Sequence, residues 1–333
     1  MSRAPLRIIA EAAQGYEGRP PLAELLIRAA AAAKADAVKF QIVYADDVAV
    51  PAYRHYAWFR QLEMPEAAWG QLKAQARSSG LEFWCDLSGE RAYAVAKAVQ
   101  PDGVKIHATN FFNHRLVSQI LETFPRVLIS IGGMAVDEIE RFIARHRLTT
   151  FSGQASFLFG FQADPTPVEQ TSLARLPALM ARLEGFDVGF MDHTDGDGPD
   201  TTAVSAMALA LGVRLFEKHL THDRALKLED YASALPPERF ADYVAALRRL
   251  DAALGSAGLE ITEAERAYRA QAIKKVLVSR PLAVGHVIGE ADLAQKRLDA
   301  PDAAWCHDPD AVIGRRLRRA LEAGAPVRQE DLA

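Results

Sequence analysis

Short runs of β-branched and aromatic residues recur through the chain, each followed by a longer stretch whose apolar positions return every three or four residues. The runs begin near Leu6 (LRIIAE), Ala37 (AVKFQ), Leu81 (LEFWCD), Gly103 (GVKIHA), Arg126 (RVLISI), Ser156 (SFLFGF), Asp187 (DVGFMDH) and Arg214 (RLFEKH). Between them lie helical patterns such as PLAELLIRAAAAAKA, NHRLVSQILETF and AVDEIERFIARH, and ERFADYVAALRRLDAALG follows the last. Glycines stand where such helices should stop, in SSG before the third run and ALG before the eighth. Strands alternating with helices predict βαβ units around a parallel sheet, and eight of them predict an α/β fold of the (β/α)8 TIM-barrel type. A doubly wound open sheet is the alternative, but no glycine-rich phosphate fingerprint follows the first strand.

Beyond residue 255 the pattern changes. SAGLEITEAERAYRAQAIKK reads as a linker with one helix, and short strand-like pieces follow it. The expected organisation is a barrel over 1–255, a linker with a helix over 256–275 and a small β-rich domain over 276–333. Within the last, GHVIGEADL and GAPVRQEDL share glycine, an aliphatic residue and a terminal Asp-Leu at matching places. This echo reads either as one turn-strand-cap unit used twice or as two turns that share common turn residues.

Half of the 333 residues are hydrophobic and a quarter are charged, with a formal net charge of -4. That suits a globular protein with a large core, and it offers no basic field or phosphate-tracking stripe, so nucleic acid is not an expected partner. The basic run at Gly314–Arg319 reads as solvated surface. The apolar run near the N-terminus is short and interrupted by Glu11, which argues against a signal peptide, and no stretch has the length of a membrane span. A cytoplasmic location is therefore expected, with Cys85 and Cys306 as free thiols.

Candidate chemistry lies at the strand ends. In barrels of this type, side chains at the C-terminal strand ends surround a concave mouth while aliphatics fill the interior. Here those ends carry Glu11; Lys39 and Gln41; Asp86; Lys105 and His107; Ser130; Gln162 and Asp164; Asp192 and His193; and Glu217, Lys218 and His219. Apolar strands that all end in polar groups cannot bury them cheaply unless those groups face one another and a ligand. His193 and His219, on neighbouring strands, could converge on one divalent metal. Lys39 and Lys105 supply charge for a phosphate, or else pair with Glu11, Asp86 or Glu217 as structural ion pairs.

The sequence resembles the sialic acid synthases and the synthases of legionaminic, pseudaminic and similar acids. The resemblance rests on AEAAQGYEG, ADAVKFQ, GVKIHATN, LISIGGM, DPTP, MDHTDG and FEKHLTHDR in that order, and on SRPLAVGHVIGEADLAQKR, which looks like the antifreeze-like (SAF) domain of those enzymes. It implies condensation of phosphoenolpyruvate with an amino-sugar aldehyde, using a divalent metal, Mn2+ or Mg2+. By position it assigns the metal to His193 and His219, phosphoenolpyruvate to Lys39, Gln41, Lys105 and Ser130, and sugar contacts to Gln162, Asp164, Asp230 and Arg297. Glu11, Gln41 and Glu217 also match the family's active-site positions, and Glu11 would orient or deprotonate the attacking water. Arg297 implies a domain-swapped homodimer, since the matching arginine reaches a partner's barrel. Four places depart from the family pattern: GYEG after the first strand, Asp164 in place of a tyrosine, Met191 in place of a serine, and LDAP after Arg297, where the family's Arg-Pro-Gly sequence is missing. The competing readings are a metal-independent Schiff-base aldolase using Lys39 or Lys105, and a sugar-binding barrel without turnover.

Overall fold

Eight parallel strands close on themselves in the computed structural model, which describes residues 4–299 and 305–333. They are β1 (Arg7–Ala13), β2 (Ala37–Ile42), β3 (Glu82–Leu87), β4 (Gly103–Ile106), β5 (Arg126–Ser130), β6 (Gln154–Phe159), β7 (Asp187–Asp192) and β8 (Leu215–His219), paired in sequence order with β8 returning to β1. The architecture is the expected TIM barrel. Alternate residues point to opposite faces of each strand. One set, Ile9, Ala37, Trp84, Leu128, Leu158 and Met191, packs inside the barrel. The other set, including Ile8, Val38, Phe40, Phe83 and Ile129, forms the main core against the surrounding helices. Both faces are buried, so the strands read as apolar runs and not as a hydrophobic-polar alternation.

The helices are α1 (Pro20–Ala32), α2 (Ala45–Val48), α3 (Tyr56–Gln61), α4 (Glu66–Ser78), α5 (Glu90–Val99), α6 (His114–Thr123), α7 (Val136–Arg145), α8 (Arg175–Arg182), α9 (Thr201–Ala210) and α10 (Pro237–Ala253). In α1 the buried positions are Ala23, Leu26, Ile27 and Ala30, an apolar stripe of helical period that lies on the strands. Pro177 explains why α8 starts later than its apolar pattern suggests: proline fits only a first turn, and it is the third residue of this helix. The short α2 and α3 lie in the long connection from β2 to α4, where the sequence pattern predicts no element. Among the described residues no helix is long and apolar enough to cross a membrane. Cys85 and Cys306 are both buried and free.

The chain divides into two compact units, residues 1–256 and 257–333. The second contains α11 (Glu263–Ala272), which buries none of its residues, and an antiparallel pair, β9 (Lys275–Val278) and β10 (Leu293–Lys296). Its core is built from Val276, Val278, Leu282, Ile288, Val312, Leu317, Leu321, Val327 and Leu332, with Cys306. The weak sequence echo is a real structural duplication. Leu282 and Leu321 exchange backbone hydrogen bonds, Gly285 N donates to Leu317 O as Gly324 N donates to Val278 O, and Ile288 N donates to Arg315 O as Val327 N donates to Val276 O. Asp292 accepts from Gly289 N and is paired with Arg280; Asp331 accepts from Arg328 N and is paired with Arg319. Gly285 and Gly324 both take φ of +82°, the left-handed conformation that glycine adopts without strain.

The barrel interior leaves little room for added volume. A Cβ on Gly103, the first residue of β4, would stand 2.3 Å from the Trp84 ring. Gly103→Ala is expected to destabilise the protein by about 1–3 kcal/mol through overpacking. Denaturant unfolding monitored by Trp fluorescence checks this; an unchanged midpoint would show that Trp84 yields freely.

Candidate active site

The inward-facing set of residues changes character at the C-terminal strand ends. One residue pair above Ile9 and Ala37 lies Glu11 beside Lys39; above Trp84 lies Asp86, beside Lys105; above Leu215 lies Glu217. Each of these five charged side chains is 2% exposed or less. Lys39 Nζ touches Glu11 Oε2 and stands 3.4 Å from Glu217 and 3.7 Å from Asp86. Lys105 Nζ is 2.7 Å from Glu217 and 3.3 Å from Asp86. The ion-pair alternative raised by the sequence is thus what the structure shows, with two ammonium groups facing three carboxylates. Burial pushes Lys39 down, as does the neighbouring Lys105, leaving it near about 8 despite Glu217. Burial also opposes the Lys105 charge, yet Glu217 and Asp86 hold that ammonium above its ordinary range. Glu217 is likewise opposed by burial, but Lys105 and Lys39 keep its carboxyl well below the usual carboxylate range.

His193 and His219 stand beside this cluster with their Nε2 atoms 3.2 Å apart and their ring centroids 4.9 Å apart. Burial, with a smaller contribution from the Lys105 charge, pushes His193 down to about 4. Burial, then the facing His193, pushes His219 well below its ordinary value. Both rings are therefore neutral near pH 7, the form that ligates a metal. Two nitrogens each about 2.1 Å from one ion lie roughly 3 Å apart, which the observed spacing fits. Among the described residues no group of three or more His, Cys, Asp or Glu side chains has ligating geometry, and the two imidazoles are the converging pair at this place. The remaining positions would fall to substrate and water.

Both histidines open onto a cavity of about 520 Å³, lined also by Gln14, Gln41, Asp86, Gln162, Asp164, Glu229 and Asp230. Gln14 Nε2 donates to Gln41 Oε1, and Tyr16 OH donates to the Gln41 carbonyl, which fixes the loop after β1 against β2. Asp164 Oδ1 accepts from the backbone N and hydroxyl of Ser233. Asp230, 3.8 Å from His219 Nδ1, is pushed up to about 7 by burial and by the neighbouring Glu229 and Asp164. A second cavity of about 440 Å³ lies at the opposite, N-terminal ends of the strands, where Arg7 and Arg126 pair with Glu82. It brings together none of the candidate residues.

The strand-end residues do not all converge. Asp192 and Lys218 turn outward, because each precedes an inward-facing histidine and strand residues alternate. Asp192 accepts from Thr194 N, Thr194 Oγ1, Lys218 Nζ and Ser205 Oγ, and Tyr243 donates to Ser205 in turn. Ser130 is fully buried, its hydroxyl has no hydrogen-bond partner among the described residues, and it does not line the cavity. Lys39 and Lys105 lie beneath the cavity surface, not on it. Arg297 is an exposed residue of the second unit. Sequence reading missed Phe59 of α3, Glu229 and Asp47 in the cavity wall. The signal available for Phe59 was the length of the connection from β2 to α4, too long for a simple turn and carrying YAWF.

The NeuB family profile matches residues 26–258, well over half of the chain. The chain belongs to the NeuB family. A SAF domain matches residues 276–333. The N,N'-diacetyllegionaminic acid synthase of Legionella pneumophila is 25% identical over 98% of this chain and 94% of its own length. The pseudaminic acid synthase of Campylobacter jejuni is 22% identical over 97% of this chain and 96% of its own. A putative spore coat polysaccharide biosynthesis protein E from Chromobacterium violaceum superposes with a TM-score of 0.76 at 20% identity, covering 98% of this chain and 99% of that one, a likeness of fold.

The buried ion cluster gives a stability test. Glu217→Ala would leave Lys105 with Asp86 as its only carboxylate partner and remove a neighbour of Lys39. Deleting one member of a buried pair costs about 3–5 kcal/mol. Chemical denaturation should therefore show a large fall in midpoint for this variant, and a loss under about 1 kcal/mol would mean that water already reaches the cluster.

Proposed function

We propose that this NeuB-family barrel joins phosphoenolpyruvate to a 2-acylamino aldose, forming a sialic-acid-like nonulosonic acid and releasing phosphate. The observation that carries the reading is the adjacency of two neutral, converging imidazoles to two buried ammonium groups at one end of the barrel. The family's named synthases of legionaminic and pseudaminic acid support it. A divalent cation held by His193 and His219 would supply Lewis acidity toward an aldehyde oxygen.

The chain's own residues account for the rest. Asp86 lines the cavity, neither of its oxygens accepts a hydrogen bond, and its contacts to Lys105 and Lys39 are longer than those of Glu217 and Glu11. It is the carboxylate most easily exchanged for an incoming anion, and the phosphate or carboxylate of phosphoenolpyruvate would take its place against both ammonium groups. Glu11 Oε1 accepts from the Ala13 amide, so its carboxylate is fixed at the edge of the cluster, able to take a proton from a water attacking the enol carbon. Gln41, Gln162, Asp164 and Asp230 face the space above, where the hydroxyl and acylamino groups of the sugar would bind. The lowered Lys39 is the one feature that favours a Schiff-base mechanism, since a neutral amine is the nucleophile such chemistry needs.

The test is phosphate release from phosphoenolpyruvate plus a panel of 2-acetamido and 2,4-diacetamido hexoses with Mn2+. His219→Ala should lower the metal-dependent rate by at least about 100-fold, in line with the loss of a directly acting group. A wild-type rate in that variant, or activity that survives a chelator and is trapped on a lysine by borohydride, would move the assignment to the Schiff-base aldolase. Binding of the sugars without any turnover would favour the non-catalytic barrel.

A further inference from the structure

The walls of the cavity carry a charge pattern that bears on which acceptor can enter, on the assumption that the reaction is the one proposed above. Five carboxylates line the space, Asp47, Asp86, Asp164, Glu229 and Asp230, and among the described residues no lysine or arginine does. Asp47 is committed to the N-terminus of α5, where it accepts from Arg91 N and Ala92 N. Asp86 belongs to the ion cluster below. The remaining three form one wall, Asp164 from the loop after β6 and Glu229 with Asp230 from the loop after β8. Glu17 adds a fourth acid behind them, held by the Glu229 backbone N.

Two basic residues of the surrounding loops, Arg224 and Arg60, are already held by partners of their own. Arg224 is held by Asp195, Asp197 and the carbonyls of Tyr231, Ala232 and Ala234. Arg60 is held by Asp46 and Glu63. Glu229 accepts from the Trp58 indole through Oε2, and Asp164 is bound to Ser233 through Oδ1, so each has a second oxygen for a ligand. Carboxylates accept hydrogen bonds and donate none, which matches the hydroxyl groups of a polyol chain. A phosphate ester there would carry nearly two negative charges against this wall, whose described lining residues include no lysine or arginine. The buried lysines are out of its reach, because the reaction assigns them to phosphoenolpyruvate.

We propose that the acceptor is an unphosphorylated sugar, and that Asp164, Glu229 and Asp230 select it by binding its terminal hydroxyl groups and repelling a terminal phosphate. The experiment compares kcat/KM for one 2-acylamino hexose and for the same sugar esterified with phosphate on its terminal hydroxyl, using the full chain with phosphoenolpyruvate and Mn2+. The expected result is a preference of at least tenfold for the free sugar. Glu229→Gln and Asp164→Asn, which keep the hydrogen bonds and remove charge, should each raise the relative kcat/KM of the phosphate ester several-fold, by less at high salt. Equal or better use of the phosphate ester, or a ratio that neither variant moves, would overturn the inference. If neither sugar releases phosphate, the reaction itself is misassigned. Calorimetric titration of the Mn2+-loaded protein with both sugars then decides the charge preference: tighter binding of the free sugar sustains it, while tighter binding of the ester, or no binding of either, overturns it.

Discussion

Five charges held out of water at the ends of apolar strands are the constraint on which this barrel turns. None of Glu11, Lys39, Asp86, Lys105 and Glu217 could be buried alone, since an isolated charge in a protein interior is far too costly to keep. Together they satisfy one another, and each comes from a different strand, so the cluster stands only when β1, β2, β3, β4 and β8 are in register. Hydrophobic side chains of the same volume would give a comparable core with no desolvation to offset. The sequence keeps ions there at an energetic disadvantage, which makes sense when an anionic ligand is to exchange with one of the carboxylates.

The same alternation that points these charges inward gives the histidines their support. His193 and His219 face the cavity, and their chain neighbours Asp192 and Lys218 face the helices, where Asp192 gathers Thr194, Ser205 and Lys218. Tyr243 of α10 and Ser205 of α9 complete the chain of hydrogen bonds. The imidazoles are therefore carried on strand ends locked from the outside by a fully buried polar network, and a ring so placed keeps its direction before any ligand arrives. Below them the Ile9, Ala37, Trp84, Leu128, Leu158 and Met191 layer closes the barrel to water from that side.

What could be read from the sequence follows this division. Strands buried on both faces are apolar enough to be found one by one, and seven of the eight begin within one residue of their expected place. The sixth begins two residues earlier, at Gln154, because that first residue is polar and exposed and Ala155 is only partly buried. The polar strand ends were visible as a group, but their facing was not: Asp192 and His193 are adjacent in sequence and opposite in space, and only the strand phase separates them. The duplication in the second unit left only a weak echo in the sequence, for another reason. Its two copies agree in backbone hydrogen bonds and in the Asp-Arg pairs, while few side chains are common to both. Phe59 lies on a single short helix inside a long connection and Glu229 in a loop, and no periodicity records either conformation.

That separation between floor and wall also explains how relatives about a quarter identical can share an architecture while bearing the names of synthases for different acids. Floor residues sit on strands in fixed register, each paired with others across the barrel, so a change at one is felt by all five. Wall residues come from the connections after β2, β6 and β8, where Asp164 is hydrogen-bonded to Ser233, and Glu229 to Trp58 and Glu17. Substitution there alters charge and shape in the cavity without disturbing the ions beneath it. Under the proposed reaction, one acceptor could be exchanged for another by loop changes alone, provided that the floor keeps its two ammonium groups and the strand ends keep their two imidazoles.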